Sequence, residues 1–473
     1  MMSEMECPVF ADQDFFITEY GAKGDGIHRN TESIARAVED CSRKGGGRVV
    51  IPAGVWRTGP ISLKSNVNLH VQEGALVVFS KSIDDYPLVL SNFEGQDTIR
   101  CASPINGMDL ENVAITGKGI FDGSGEAWRP VKKSKMTESQ WNQLVRSGGF
   151  VNTDSRIWWP AKRAFEGEQY FKKHKGKADR EAYELYKRFV RPTLLNLTRC
   201  RKILLDGPTF QNSPAWCLHL LLCENVTISD ISVKNPWYAQ NGDGLDLDSC
   251  RNVMLSHSDF DVGDDAICMK SGKGQEGRAR GVACENVNIC NCNVYHGHGG
   301  FVVGSEMSGD IRNIHVSDCS FIGTDVGIRL KSRRGRGGVV EKISLDHIRM
   351  KDISKEGILM TTRYNSERTF AKAEDMLRVS EETPEFRDIS IRDITCIHAD
   401  QAVCILGLPE MPIKNIHLEN CCFAAEKGVE CAYGKDLRFH GMRFLVEEEP
   451  ILSFRNCCGT ELSDIRKDKW KNL

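Results

Sequence analysis

CENVTISDISV (223–233), CRNVMLSHSDF (250–260), CENVNICNCNV (284–294) and IRNIHVSDCSF (311–321) are variants of one phrase. Its opening anchor returns as CRKI (200–203), VEKI (340–343), FRDI (386–389) and IKNI (413–416). Most anchors lie about 23 to 34 residues apart, a range in which one repeat is one supersecondary unit. After each anchor the residues alternate and are rich in β-branched types, as a pleated strand requires, and a glycine follows. No helical periodicity separates successive strands, which excludes a doubly wound α/β sheet. The pattern predicts an all-β fold, a parallel β-helix in which each repeat makes one coil of about three strands and coils stack about 4.8 Å apart. Equivalent inward positions then form ladders of Val, Ile and Cys. Asn225, Asn252, Asn286, Asn313 and Asn415 recur just before the strand. Stacked at a turn, their amides have a structural role rather than a binding one.

An open β-helix end exposes unpaired strand edges and a bare core, so it needs a cap. Thr31 is placed to N-cap a helix over 31–44 whose Ile34, Ala37, Val38 and Cys41 form one apolar face, ended by the GGG of 45–47. The expectation is one domain over 1–473, with an N-terminal cap region at 17–60, regular coils at 196–440 and a C-terminal cap at 441–473. One block breaks the rhythm. Residues 129–195 are rich in Lys, Arg, Trp and Tyr, and AYELYKRF (182–189) reads as helical. It is an insertion between coils, either a solvated excursion or a cationic wall at one end of a substrate groove.

The chain has 473 residues, 40% hydrophobic and 27% charged, with a formal net charge of −3. That balance is ordinary for a water-soluble chain; it argues against a membrane protein and against broad nucleic-acid binding, which needs a net basic field. A polyanionic ligand would need a local cationic patch. MMSEMECPVF (1–10) has no basic n-region followed by an apolar stretch, which predicts a cytoplasmic chain, or a secreted or periplasmic one if a leader was removed. The 19 cysteines are odd in number and scattered through strand-like segments, as at Cys223, Cys250, Cys284 and Cys319, without metal-type pairing. They read as buried free thiols, and no metal or cofactor is expected.

Aligning the segments that follow the anchors exposes a column of changing polar residues. It runs QNGDGLDLDS (240–249), VGDDAICMKS (262–271), HGHGGFVVGS (296–305) and IGTDVGIRLKS (322–332). The shared frame puts Asp243, then Asp264 with Asp265, then His298, then Arg329 with Lys331 on neighbouring coils of one face. Adjacent strand residues point to opposite faces, so Asp264 and Asp265 reach one groove only if the backbone bends, which Gly263 allows. Three carboxylates within two coils repel, and that repulsion raises the proton affinity of at least one, as a general acid near neutral pH requires. Structural carboxylates would instead have cationic partners or a metal. Asp246 and Asp248 alternate outward behind Asp243 as solvated or substrate-touching positions. Glu306, His219, Trp216 and Trp237 lie near the motifs, with the aromatics expected in the core. Arg333, Arg334 and Arg336 either meet neighbouring uronates or form a solvated turn.

NGD (241–243), GDD (263–265), GHG (297–299) and RLK (329–331) stand in the order of the blocks of glycoside hydrolase family 28, the polygalacturonases, which this chain resembles from Ile17 onward. NSP (212–214), YGAKGDG (20–26), PAG (52–54) and Tyr364 are further matches. The resemblance implies a right-handed, single-stranded β-helix of the pectin-lyase type, and inverting hydrolysis of α-1,4 bonds in galacturonan. Asp264 would be the general acid, Asp243 and Asp265 would activate the water, and His298 would hold or tune the acid. Arg329 and Lys331 would bind a galacturonate carboxylate, with Tyr364 and Asn241 also touching substrate. This chain departs from the family in having Gly242 where a threonine is usual, which is expected to loosen the local backbone. The added KGQEGRARG (273–281) and the 129–195 block resemble the bacterial exo-acting branch, in which loops block the groove.

Three other readings stay open at this point. A Ca²⁺-dependent pectate lyase shares fold and substrate, and stacked aspartates could bind Ca²⁺ through oxygen ligands. The order of the histidine and RLK blocks favours hydrolysis. A non-catalytic polysaccharide-binding β-helix is the second reading, and a hydrolase of rhamnogalacturonan or substituted galacturonan the third.

Overall fold

The computed structural model describes residues 5–152, 154, 156–174, 178–364 and 375–468. Thirty-five strands join one sheet, and every ladder in it is parallel. Its repeat is three strands. Leu195–Thr198, Arg201–Asp206 and Thr209–Gln211 make one coil, Leu218–Leu221, Glu224–Ser229 and Ser232–Lys234 the next, and each strand pairs only with its counterparts above and below. The chain is therefore the expected parallel β-helix.

Stacking turns a repeated sequence position into a column. Val226, Val253, Val287, Ile314, Ile343, Ile389 and Ile416 are successive rungs of one register. All seven are at most 1% exposed. Burying such a side chain is worth about 1.5–3 kcal/mol, so a shift by one residue, which would turn the column outward, is strongly disfavoured. Just before each rung the backbone turns through the left-handed region, at φ 55, 55, 57 and 56° for Asn225, Asn252, Asn286 and Asn313. Asparagine tolerates that conformation better than most residues. Its amide also links the column, with Asn252 donating to Asn225 at 3.2 Å, Asn286 to Asn252 at 3.1 Å and Asn313 to Asn286 at 3.2 Å. Asn415 donates to Asp388, which takes the same left-handed turn. None of the 19 cysteines is in a disulfide, and most are buried among these ladders.

The ends differ in detail from the sequence expectation. The capping helix runs Thr31–Arg43 and buries Ile34, Ala37, Val38 and Cys41, but Asn30 is its N-cap residue. The Thr31 hydroxyl instead accepts from the Gly59 amide at 2.6 Å, tying the helix to the first coil. Coils begin well before 196: Gly47–Ile51 pairs with Val67–Val71, which pairs with Glu111–Thr116, which pairs with Arg201–Asp206 across the insertion. At the other end Gly434–Val446 pairs with Glu461–Lys467, so the region predicted to cap the helix after 440 prolongs it.

The insertion leaves the helix after Ile120–Asp122 and returns at Leu195–Thr198. It carries a three-stranded antiparallel sheet, Val131–Lys132, Ile157–Trp159 and Phe150–Asn152. The insertion also carries helices Glu138–Arg146, Lys162–Lys173 and Arg180–Leu185, the last ending before the YKRF of the predicted helical stretch. Two small apolar clusters hold the block together, one around Trp141 and Trp158 and one around Trp128, Phe171 and Tyr183.

Candidate active site

One strand column of the helix carries the site: Leu218–Leu221, Leu245–Asp248, Asp265–Lys270, Gly299–Val303 and Ile328–Lys331. Leu245 pairs with Ile267, and two residues earlier on each strand stand Asp243 and Asp265, on one rung of adjacent coils. Asp264 occupies the bend just before its strand and so escapes the strand's alternation. The bend is pinned by the Asp265 amide donating to Asp264 Oδ1 at 3.0 Å and by the His298 amide donating to the Asp264 carbonyl at 2.9 Å. Facing oxygens of Asp243, Asp264 and Asp265 all lie within 4.8 Å of one another.

Two glycines make this approach possible. Gly297 has φ 141°, and a Cβ there would stand 2.9 Å from the Asp264 carbonyl oxygen. At Gly242, a Cβ would meet the Ala239 methyl at 2.7 Å. The glycine in place of threonine thus does not loosen the backbone; it lets the 236–241 turn close tightly against the residue before Asp243.

The three carboxylates have different surroundings. Asp264 keeps 22% of its side chain exposed and meets His298 Nδ1 at 3.0 Å. Asp265 is buried, yet Arg329 Nη1 lies 3.2 Å from Oδ1 and Lys331 Nζ 2.5 Å from Oδ2. Burial opposes its ionisation, but Lys331, Arg329 and Lys270 prevail and hold its carboxyl below the usual range. By the criterion that a structural carboxylate has cationic partners, Asp265 is partly structural. Asp243 has neither advantage. Burial, then the charges of Asp264 and Asp246, push its carboxyl well above the ordinary value, and its Oδ1 has no hydrogen-bond partner. It is here that repulsion raises proton affinity.

Arg329 and Lys331 also stand 5.7 and 5.2 Å from the Tyr364 ring centre, so three of the four predicted binding residues form one cluster. Asn241 Oδ1 accepts from Arg191 Nη2 at 3.0 Å. Arg191, a residue missed in the sequence, also donates to the carbonyls of Pro214 and Gln240 at 2.8 and 3.1 Å. Arg129, at the other end of the insertion, donates to the Ser213 carbonyl and to Asn212 Oδ1. These two arginines clamp the insertion onto the turns beside the aspartates, which supports the wall reading over the solvated excursion.

A second wall was not foreseen. The antiparallel hairpin of Leu88–Phe93 and Gln96–Cys101 packs beside the site column. Phe93 stacks on Trp216 at 4.6 Å, with Arg100 3.8 Å over the Phe93 ring. Its tip meets the 273–281 segment, where the Lys273 amide donates to the Gly95 carbonyl at 3.1 Å and Asp97 N donates to Glu276 at 3.1 Å. Under this roof Asp246 and Asp248, expected to be solvated or to touch substrate, are fully buried. Lys270 lies 3.5 Å from both Asp246 and Glu306 and 4.8 Å over Trp216, and Arg336 lies 3.3 Å from Glu306. His219 is buried against Asn196, and Arg280 reaches Asp248 at 3.5 Å. Arg334 pairs with Glu410 and Arg336 with Glu306, so these two are engaged within the protein, whereas Arg333 is exposed. Trp237, expected in the core, is 46% exposed beside the site.

The aspartates are close enough to share a cation, but they suit Ca²⁺ poorly. Both Asp265 oxygens are already taken by fixed cations, and Ca²⁺ asks for six to eight oxygen ligands.

A model of glycosyl hydrolases family 28 matches residues 164–436. The exo-poly-alpha-D-galacturonosidase of Dickeya chrysanthemi is 30% identical over 356 residues, covering 74% of this chain; the chain spans only 57% of that relative's length. The crystal structure of a hyperthermoactive exopolygalacturonase from Thermotoga maritima superposes with a TM-score of 0.76 at 29% identity, covering 95% of this chain and 94% of its own. The family 28 exopolygalacturonase of Yersinia enterocolitica reaches the same TM-score at 23% identity, over 95% of this chain and 78% of its own, a likeness of fold.

Proposed function

Because the chain belongs to glycosyl hydrolases family 28, we propose that it hydrolyses α-1,4 bonds between galacturonic acid residues, releasing single sugars from the non-reducing end with inversion. The observation that carries this reading is the meeting of Asp243, Asp264 and Asp265 within 4.8 Å of one another. The loops support exo action: the 88–101 hairpin and the helix Gly274–Arg280 meet each other over Asp248, on the strand that follows Asp243, where they would keep a chain from running through.

Asp264 is the general acid, since its carboxyl is the most exposed of the three and can reach a leaving oxygen. His298 fixes its direction. Asp265 is the ionised group that takes a proton from water, and Asp243, whose proton affinity is raised by burial and by its acidic neighbours, orients that water by hydrogen bonding. Arg329 and Lys331 link binding to chemistry. A uronate carboxylate drawn between them competes with Asp265 for both cations, and as they turn toward it Asp265 becomes a stronger base. Inverting enzymes usually hold their carboxyls roughly 6.5–9.5 Å apart with water between them. The spacing here is shorter, so inversion rests on the family resemblance, and the water activated by Asp265 must still reach the anomeric carbon on the face opposite the oxygen that Asp264 protonates.

A reducing-end-labelled pentagalacturonate tests the reading. The label is expected to pass stepwise to tetramer and then trimer, with free galacturonate released first as the β-anomer in proton NMR, at a rate indifferent to chelator. Label appearing directly on dimer would defeat exo action. Unsaturated, ultraviolet-absorbing products would defeat hydrolysis.

A further inference from the structure

Lys132 and Lys135 lie in KKSK (132–135) of the insertion, and among the described residues neither forms an ion pair. Lys133 between them is taken up by Glu138 at 3.1 Å. Their backbone is held firmly. Lys132 ends a strand of the insertion's small sheet, and Val131, Trp141 and Trp158 beneath it form an apolar cluster onto which Tyr238 packs. Tyr238 belongs to the turn that precedes Asp243, so insertion and catalytic turn share one core.

A pocket of about 140 Å³ opens above this junction, lined by Lys132 and Lys135 from the insertion, Trp237 and Asn241 from the turn, and Asp264 and His298 from the catalytic coils. Trp237 presents an open ring there at 46% exposure. An exposed aromatic beside convergent polar groups is the usual make-up of a built ligand pocket. Coil order adds a direction. The insertion leaves the helix before the coil of Asp243, whereas Arg329 and Lys331 lie two coils beyond Asp265. Two sets of cations thus flank the aspartates along the groove, and a bond between two uronic acids has one carboxylate on each side.

The geometry points to this pocket as a second uronate subsite: Lys132 and Lys135 take the carboxylate of the galacturonate on the insertion side of the scissile bond, and Trp237 receives its ring. The assignment rests on the galacturonan reading above. Two ammonium groups add affinity without touching the reacting atoms, so they act as specificity-determining residues.

The test compares trigalacturonate kinetics of the wild type with the double variant Lys132→Ala, Lys135→Ala, the double variant Lys132→Arg, Lys135→Arg, and the control Lys133→Ala. Loss of both lysines is expected to raise KM about tenfold with kcat changed less than about threefold, the signature of lost uniform binding. The arginine pair should restore KM, and the control should match the wild type. An alanine double variant with KM within about twofold of the wild type would overturn the subsite. Calorimetric titration of trigalacturonate into Asp243→Asn, with and without the two lysines, separates this from the hydrolase reading. If the wild type cleaves nothing, hydrolysis falls, while about tenfold weaker binding without the lysines still supports the subsite and unchanged binding overturns it.

Discussion

Lys331 Nζ lies 2.5 Å from Asp265 Oδ2, although the two residues are separated by two coils of the helix. With Arg329 on the other oxygen, this pair keeps a buried carboxyl ionised. Lys331→Met should therefore raise the proton affinity of Asp265. The base must be ionised to act, so the acid limb of kcat/KM should move to higher pH. Stability should fall too, by about 3 kcal/mol, the lower end for breaking a buried pair, since Arg329 remains. The direction with pH follows from the depressed folded value: the wild-type advantage is present above the unfolded carboxylate range and is lost as pH falls through the folded value. A pH–rate profile and thermal melts at pH 5 and 7 measure both; an unmoved acid limb would remove Asp265 from the base role.

Asp246 makes the opposite case. Burial pushes its carboxyl up to about 8, despite Lys270 at 3.5 Å. A folded value above the unfolded one means that the folded state holds a proton the unfolded state has lost, so Asp246 costs stability increasingly as pH rises from about 4 to about 8. Asp246→Asn removes that penalty. The melting temperature of the variant relative to the wild type should climb across this interval and level off above it. A difference that stays flat with pH would show that Asp246 is ionised against Lys270 throughout.

The asparagine column is testable away from the site. Asn252 sits at φ 55° and bonds both neighbours of its column, at 3.2 and 3.1 Å. Asn252→Ala should cost about 2–5 kcal/mol, combining left-handed strain of about 1–2 kcal/mol with the loss of two hydrogen bonds worth about 0.5–1.5 kcal/mol each. Asn252→Gly, free of the strain, should cost less than alanine. Denaturant melts rank the two, and alanine equal to glycine would mean that conformation is not what selects asparagine there.

How much of this was legible in the sequence follows from what the repeat constrains. Val226, Val253 and Val287 recur in frame because stacking demands one inward position per coil, and the same frame brings Asp243, Asp264, Asp265, His298, Arg329 and Lys331 to one face. Other features depend on segments with no place in that frame. Asp246 and Asp248 look solvated by alternation alone; the roof that buries them comes from the 88–101 hairpin, whose contact with Glu276 spans 179 residues. Arg129 and Arg191 mark both ends of the insertion, a signal that could have been read as a clamp. The pairing of Asp265 with Arg329 passes a glycine rung, Gly299, where an added Cβ would meet the Arg329 side chain at 3.4 Å. Repeat position gives the coil of each residue but not its partner.

The roof itself supplies the last test. Arg280, on the helix Gly274–Arg280, reaches Asp248 at 3.5 Å and Asp97 at 3.7 Å, while the Lys273 amide holds the hairpin tip through Gly95 at 3.1 Å. Hairpin and helix therefore support each other, and neither closes the groove alone. Replacing 273–281 by a two-residue turn should free the tip and open the blocked side, while leaving Asp243, Asp264 and Asp265 in place. The variant should keep measurable hydrolysis, but its first products from polygalacturonate should include dimers and longer oligomers, and the viscosity of the polymer should fall faster per bond cut than with the wild type. Exclusive release of single sugars by the shortened variant would mean that the insertion at 129–195, clamped by Arg129 and Arg191, is the wall that counts.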